Sequence, residues 1–320
     1  MHLIRKKYLK EGHTNEVVDI LMQGWRSNTK KQYQVYLLKW SKFCVKKHYK
    51  QDEYNVKNCL EFLVYIYKRN KCSYSALNTA RSALSCLFDT PSIGDNTVIK
   101  RFMRSVYNSN PTKPRYSTIW DVSIVLKYLE KKSPARSLNL KELTMKLLML
   151  CALVTAQRCQ TLHAFDLREI KTNHTNISFK MSKVLKHNKP SRNDNEIILP
   201  SYPDNKNLCV VTYMNAYINR TKPFRQSTQL FLSFIVPHKP VSKETISRWL
   251  KIVLQKAGVD TKVYKAHSTR AAATSSVYKD VDITTIMKAA GWSNAKTFAT
   301  YYNKKTEKKT AFGRAVLGRK

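Results

Sequence analysis

Carboxylates are scarce in this chain. Its 320 residues hold 21 Asp and Glu against 58 Lys and Arg, a formal net charge of +37 with a pI near 10. The basic residues occur in almost every segment and do not collect in one tail. Self-repulsion of that size opposes a compact state unless a polyanion offsets it, so nucleic acid is the expected partner. Long apolar runs are also missing, and none approaches the length that spans a bilayer. The opening MHLIRKKYLKEG lacks the apolar core of a signal peptide. With no isolated basic amphipathic helix and no lipidation motif, no membrane partner is expected. The seven cysteines are odd in number and form no CxxC pair, so reduced thiols in an intracellular compartment are expected. Cys159 and His163 have an i, i+4 spacing, but no second pair joins them, so packing is expected there in place of a metal. There is no Walker motif, no carboxylate cluster spaced for Mg²⁺, no repeat and no low-complexity tract.

What is present is ample apolar material, 42% of residues, in helical periods. In SNTKKQYQVYLLKWSKFCVKKHY, Tyr33, Tyr36, Leu37, Trp40 and Cys44 share a face, with Ser27 a candidate N-cap. NVKNCLEFLVYIYKRN, SYSALNTARSALSCLF and DNTVIKRFMRSVYNSN read as three further helices, which makes a four-helix bundle over residues 1–110. Residues 111–116 contain two prolines and two basic residues, an extended linker. A second domain then runs from 117 to 320. Asn139 stands three residues before Glu142, a capping-box arrangement that opens a strongly apolar helix. NISFKMSKVL, NEIILP and QLFLSF read as strands, the first two joined by a polar hairpin. VSKETISRWLKIVLQKAGV is a helix with Ile246, Trp249, Leu250, Val253, Leu254 and Ala257 on its buried stripe and Gly258 at its end. Short helices follow. The expected fold is mainly α: an N-terminal bundle and a mostly helical second domain with a small inserted antiparallel sheet.

Several residues suit a phosphate. His267 and Arg270 lie three apart on one helix face. Arg158 follows the apolar helix, where a guanidinium beside a core needs an anionic partner. Lys183 and Lys186 fall at a strand end and hairpin, and Trp292 follows Gly291 at a helix end. Taken singly, these are a local cap or pair, a structural salt bridge, solvated lysines and a core indole.

Their order, Arg, hairpin Lys, His-x-x-Arg, Gly-Trp, then Tyr, is more specific. VTAQRCQTL, SKVLKHNKPSR, AHSTRAAATS and AAGWSNAKTFATYYNK resemble the tyrosine recombinases, or phage integrases. The closest resemblance is to the recombinases of DIRS and Ngaro retrotransposons and related eukaryotic elements. It covers nearly the whole chain, since the helical N-terminal part and the TKPRYSTIWDVS junction match the family's SAM-like core-binding domain and linker. It implies that Arg158 and Arg270 clamp the scissile phosphate of double-stranded DNA, with His267 supporting the same phosphate or relaying a proton. A hairpin lysine, Lys186 or alternatively Lys183, protonates the leaving 5′ oxygen. Trp292 replaces the histidine often found after this glycine. Adjacent helical residues point about 100° apart, so only one of Tyr301 and Tyr302 can face the phosphate. The retroelement-like pattern Phe-Tyr-Asn assigns Tyr302 as nucleophile, with Tyr301 as the alternative.

The resemblance further implies a covalent 3′-phosphotyrosine intermediate and no cofactor, because the phosphotyrosine conserves the bond energy. It also implies a homo-oligomer, a tetramer on paired DNA sites, serving integration or transposition in the nucleus. Thr161 stands where many members carry an acidic residue that supports the site. The segment KTEKKTAFGRAVLGRK is either a docking segment for a neighbouring protomer or a basic tail. The alternatives are a type IB topoisomerase-like activity and a mobile-element-derived DNA-binding protein that no longer cleaves.

Overall fold

In the computed structural model the chain divides into two compact units, Met1–Lys113 and Pro114–Lys320. The described residues are 1–70, 72–88, 92–112, 115–181, 196–292 and 299.

The first unit contains α1 (His2–Lys10), α2 (Asn15–Gln23), α3 (Ser27–Lys47), α4 (Val56–Asn70), α5 (Tyr74–Leu87) and α6 (Thr97–Ser109). The last four are the helices that periodicity predicts. The first two are too short for the pattern to declare itself. Side-chain caps start α2, α5 and α6 at Thr14, Ser73 and Asn96. Ser27 is the first helical residue of α3 and not its cap, because the extended backbone lies at Arg26. The core is aromatic at its centre. Trp40 is fully buried, meets Phe62 edge-on at 5.3 Å and donates its indole N–H to the Gln51 carbonyl at 3.0 Å. Truncating such a residue to alanine costs about 3–5 kcal/mol.

The second unit is ordered α7 (Val122–Lys131), α8 (Leu140–Thr155), α9 (Cys159–His163), β1 (Ile170–Thr172), β2 (Asn176–Lys180), β3 (Glu196–Pro200), α10 (Val210–Thr221), α11 (Lys243–Lys256), α12 (Ser268–Ser276) and α13 (Ile283–Ala290). Every residue of α8 from Leu143 to Leu153 is buried, as befits a helix apolar on all sides. The capping box is formed: Glu142 N–H donates to Asn139 Oδ1 at 2.9 Å, and Asn139 N–H donates to Glu142 Oε2 at 3.4 Å. Helices α10, α11 and α12 pack around α8. On α11 the residues Ile246, Trp249, Leu250, Val253 and Leu254 are buried, and Gly258 takes the positive φ (+91°) that releases the chain.

The three strands form one antiparallel sheet in the order β1-β2-β3, with Ile177 opposite Leu199. QLFLSF does not form a strand of this sheet. Leu230, Phe231 and Leu232 are buried, yet the segment's pairing reduces to two isolated bridges, Gln229 with Asp166 and Leu232 with Pro240. Proline has no N–H with which to extend a ladder. The amide of Leu232 donates instead to the Tyr217 hydroxyl at 3.0 Å.

Candidate active site

The site begins where α8 ends. Ala156 adopts a left-handed conformation (φ 48°), which turns the chain so that Arg158 becomes the N-cap of α9. The Arg158 carbonyl accepts from the amides of Thr161 (2.8 Å) and Leu162 (3.0 Å), so its backbone is fixed. Its neighbour Gln157 donates Nε2 to the Ala289 carbonyl at 2.7 Å, which ties this corner to the end of α13.

A second wall is the start of α12, with His267 at its N-cap position. The segment just after the unit boundary holds this turn. Trp120 Nε1 donates to Ser268 Oγ at 2.9 Å, and Ser268 Oγ donates to the Lys265 carbonyl at 2.7 Å. The Lys265 amide donates to the Tyr116 hydroxyl at 3.3 Å, and the hydroxyls of Thr118 and Tyr264 lie 3.2 Å apart. Tyr116, read from sequence as linker, is therefore part of the buried frame beneath His267.

One turn into α12, Arg270 is 2% exposed. Its Nη2 donates to the Ala290 carbonyl at 2.6 Å, and its guanidinium carbon lies 4.4 Å from the centre of the Trp292 ring. Helix α13 ends on Gly291, whose left-handed φ (64°) lets Trp292 N–H return to the Met287 carbonyl at 2.9 Å. The last carbonyls of α13 thus receive both Gln157 and Arg270, at the negative end of a helix dipole. Arg270 is the deeply buried guanidinium of the pair; Arg158, expected beside the core, is only half-buried.

His267 is solvent-exposed on one side. Desolvation by its packed surround, followed by the positive charges of Arg270, Arg158 and Arg115, lowers its pKa to about 4. Water screens an exposed ring, so the direction rests on three cations acting alike, and the imidazole is neutral near pH 7. Four of the predicted residues, Arg158, His267, Arg270 and Trp292, therefore gather at one place from three separated segments. A surface built this way can hold a phosphodiester through its non-bridging oxygens. Lys183, Lys186, Tyr301 and Tyr302 lie outside the described residues. Arg115, Gln157 and Trp120 were not singled out by sequence. Arg115 sits in a proline-flanked basic stretch that reads as linker, and only its field on His267 gives it away. Thr161 is buried at 6% exposure and serves the α9 turn through its amide. Among the described residues, no three His, Cys, Asp or Glu side chains gather as metal ligands.

This architecture, mostly helical with a small antiparallel sheet, is the tyrosine recombinase fold. Residues 125–308 match the model of the phage integrase family, and the chain belongs to that family. No curated protein matches it. Among solved structures it is similar to XerH site-specific recombinase bound to difH substrate in a pre-cleavage complex. That match has a TM-score of 0.61 and 15% identity over 98% of this chain and 94% of that one. It is also similar to a lambda integrase dimer bound to a COC′ core site (TM-score 0.59, 15% identity, 96% of each chain). A third is the Tn1549 transposon integrase in complex with transposon right end DNA (TM-score 0.59, 13% identity, 98% of this chain and 99% of that one).

Proposed function

We propose that this protein is a site-specific DNA recombinase that cuts and rejoins duplex DNA through a covalent 3′-phosphotyrosine. The observation that carries the reading is the buried Arg270 guanidinium under Trp292, with Arg158 and His267 in the same field, in a chain of the phage integrase family. Arg158 and Arg270 bind the non-bridging oxygens of the scissile phosphate and offset the charge that builds there during attack. The Tyr302 oxygen attacks phosphorus as the bond to the 5′ oxygen breaks. Lys186, or alternatively Lys183, gives that oxygen its proton. Neutral His267 supports the phosphate and can accept the phenolic proton, which a group of pKa ~10 does not release unaided at neutral pH. Religation reverses these transfers on a second strand, without ATP or metal.

The DNA complexes of the XerH, lambda and Tn1549 proteins support duplex DNA as the substrate. The lambda integrase tetramer on a Holliday junction supports a tetrameric assembly. Residues 1–110 would bind the duplex as a core-binding domain and 117–320 would carry the chemistry, both through basic surfaces and with steep salt dependence. A role in integration or transposition of a mobile element, a relationship to the DIRS and Ngaro retroelement recombinases, and action in the nucleus complete the proposal. A nicked suicide substrate carrying the element's end sequence tests it: a covalent protein–DNA adduct should form in EDTA and then join a partner strand. An adduct that only relaxes supercoils would favour a topoisomerase. Binding without any adduct would favour a DNA-binding protein that no longer cleaves.

A further inference from the structure

At the opposite end of α8 from Arg158 lies a cavity of about 200 Å³ walled by Leu129, Met145 and Val253. Lys146, 2% exposed, lines it. Its Nζ donates to the carbonyls of Leu129 (2.7 Å) and Lys132 (2.6 Å) and to Ser133 Oγ (2.9 Å), and it sits 3.9 Å from the centre of the Tyr213 ring. These four partners are all neutral, so the charge of a buried ammonium is left without a counter-ion among them. Such a charge is costly in a low-dielectric interior.

Three more lysines, Lys132, Lys141 and Lys256, line the same cavity, Lys141 with its Nζ 5.6 Å from the centre of the Phe234 ring. The carboxylate beside them, Glu142, is already committed. It pairs with Lys132 at 2.8 Å, accepts the Asn139 amide to cap α8, and is held below the ordinary carboxylate range chiefly by Lys132, with Lys256 contributing. Glu130, whose negative charge also acts on Lys146, accepts from Asn205 Nδ2 at 2.6 Å, so two engaged carboxylates are set against four lysines. The three donors of Lys146 are used, so it can act on a ligand through its field alone. Lys132 and Lys256 are flexible point charges that can turn N–H groups inward.

We propose that this cavity is an anion site for a small phosphorylated solute of at least two negative charges. Its volume is below the usual range for larger organic ligands, roughly 300–1,000 Å³, and suits a compact anion such as pyrophosphate. It is separate from the recombinase site: the nine residues from Lys146 to the end of α8 at Thr155 rise about 13 Å along the helix before the chain turns toward Arg158. The inference stands whether or not the chain cleaves DNA. An anion here would neutralise Lys146 and bind together α7, α8 and α11, which converge on it.

Isothermal titration of the full chain with pyrophosphate, at fixed ionic strength, tests the site. Saturable binding of one equivalent is expected, weakened about tenfold or more in a Lys132→Gln/Lys256→Gln double variant, since removing charged partners of a bound anion acts directly on affinity. A Lys251→Gln/Lys262→Gln variant removes the same charge from exposed positions elsewhere and should bind as the parent does. Equal weakening in both variants, or no saturable binding in the parent, would overturn the proposal.

Discussion

Arg270 and Trp292 form a stacked cation–aromatic pair, with the guanidinium carbon 4.4 Å from the indole centre and Nη2 held by the neighbouring Ala290 carbonyl. The ring fixes the plane of the guanidinium and shields it from water, which fits it for bidentate anion binding. Trp292→Ala should destabilise the chain by roughly 3 kcal/mol and lower single-turnover DNA cleavage by well over the loss seen in Trp292→Phe, which keeps a ring in place. Urea unfolding and cleavage rates measured on both variants would separate the two effects. Equal cleavage by the two would mean that the stack does not position Arg270.

Two left-handed residues frame the site, and their substitutions should act with opposite sign. Ala156 carries φ 48° and bears a Cβ that this conformation disfavours, so Ala156→Gly should be neutral or stabilise by up to about 1 kcal/mol. Gly291 carries φ 64°, so Gly291→Ala should cost about 1 kcal/mol and displace Trp292, with a larger effect on cleavage than on stability. Denaturant midpoints and cleavage rates check both.

The pH dependence at His267 has a definite sign. Its folded pKa, about 4, lies below the ordinary value of 6.5, so between these values the unfolded chain binds more protons. Its contribution to stability is therefore complete above pH 6.5 and is lost as pH falls toward 4. The stability difference between the parent and His267→Gln should shrink over that interval. A cleavage profile that inflects at pH 6.5 through His267 would contradict a neutral imidazole at the site.

Lys146 should behave likewise at higher pH. Burial lowers its pKa from 10.5 to about 7. From pH 7 to 10.5 the unfolded chain then carries the extra proton, and stability should rise with pH across this window relative to Lys146→Met. A flat difference between the two proteins over that range would show that the ammonium is not desolvated.

Much of this was legible in the sequence because it is written in local periods. The stripe of α11, the Asn139–Glu142 box and the apolar run of α8 each repeat at helical spacing and need only local physics. Asn-x-x-Glu before an apolar run is nearly self-sufficient as a signal. The proximity of Arg158 to His267 and Arg270 depends on α8, α12 and α13 packing together, which no local pattern encodes. The order of motifs shared with the family supplied that grouping. The frame formed by Trp120, Tyr116 and Ser268 joins positions more than 140 residues apart, and the bonds are single contacts without a repeat. The buried ammonium of Lys146 was invisible for a further reason: in sequence it is one lysine among many, and only the walls around it distinguish it.

The most direct measurement is the mapping of the covalent adduct by mass spectrometry after nuclease digestion of the suicide-substrate complex. A nucleotide should be found esterified through its 3′ phosphate to Tyr302, with the cleaved end left as a 5′ hydroxyl. The adduct should be lost in Tyr302→Phe, kept in Tyr301→Phe and nearly abolished in Arg270→Ala. An adduct on a residue other than tyrosine, or undiminished adduct in Arg270→Ala, would contradict phosphotyrosine chemistry at this site.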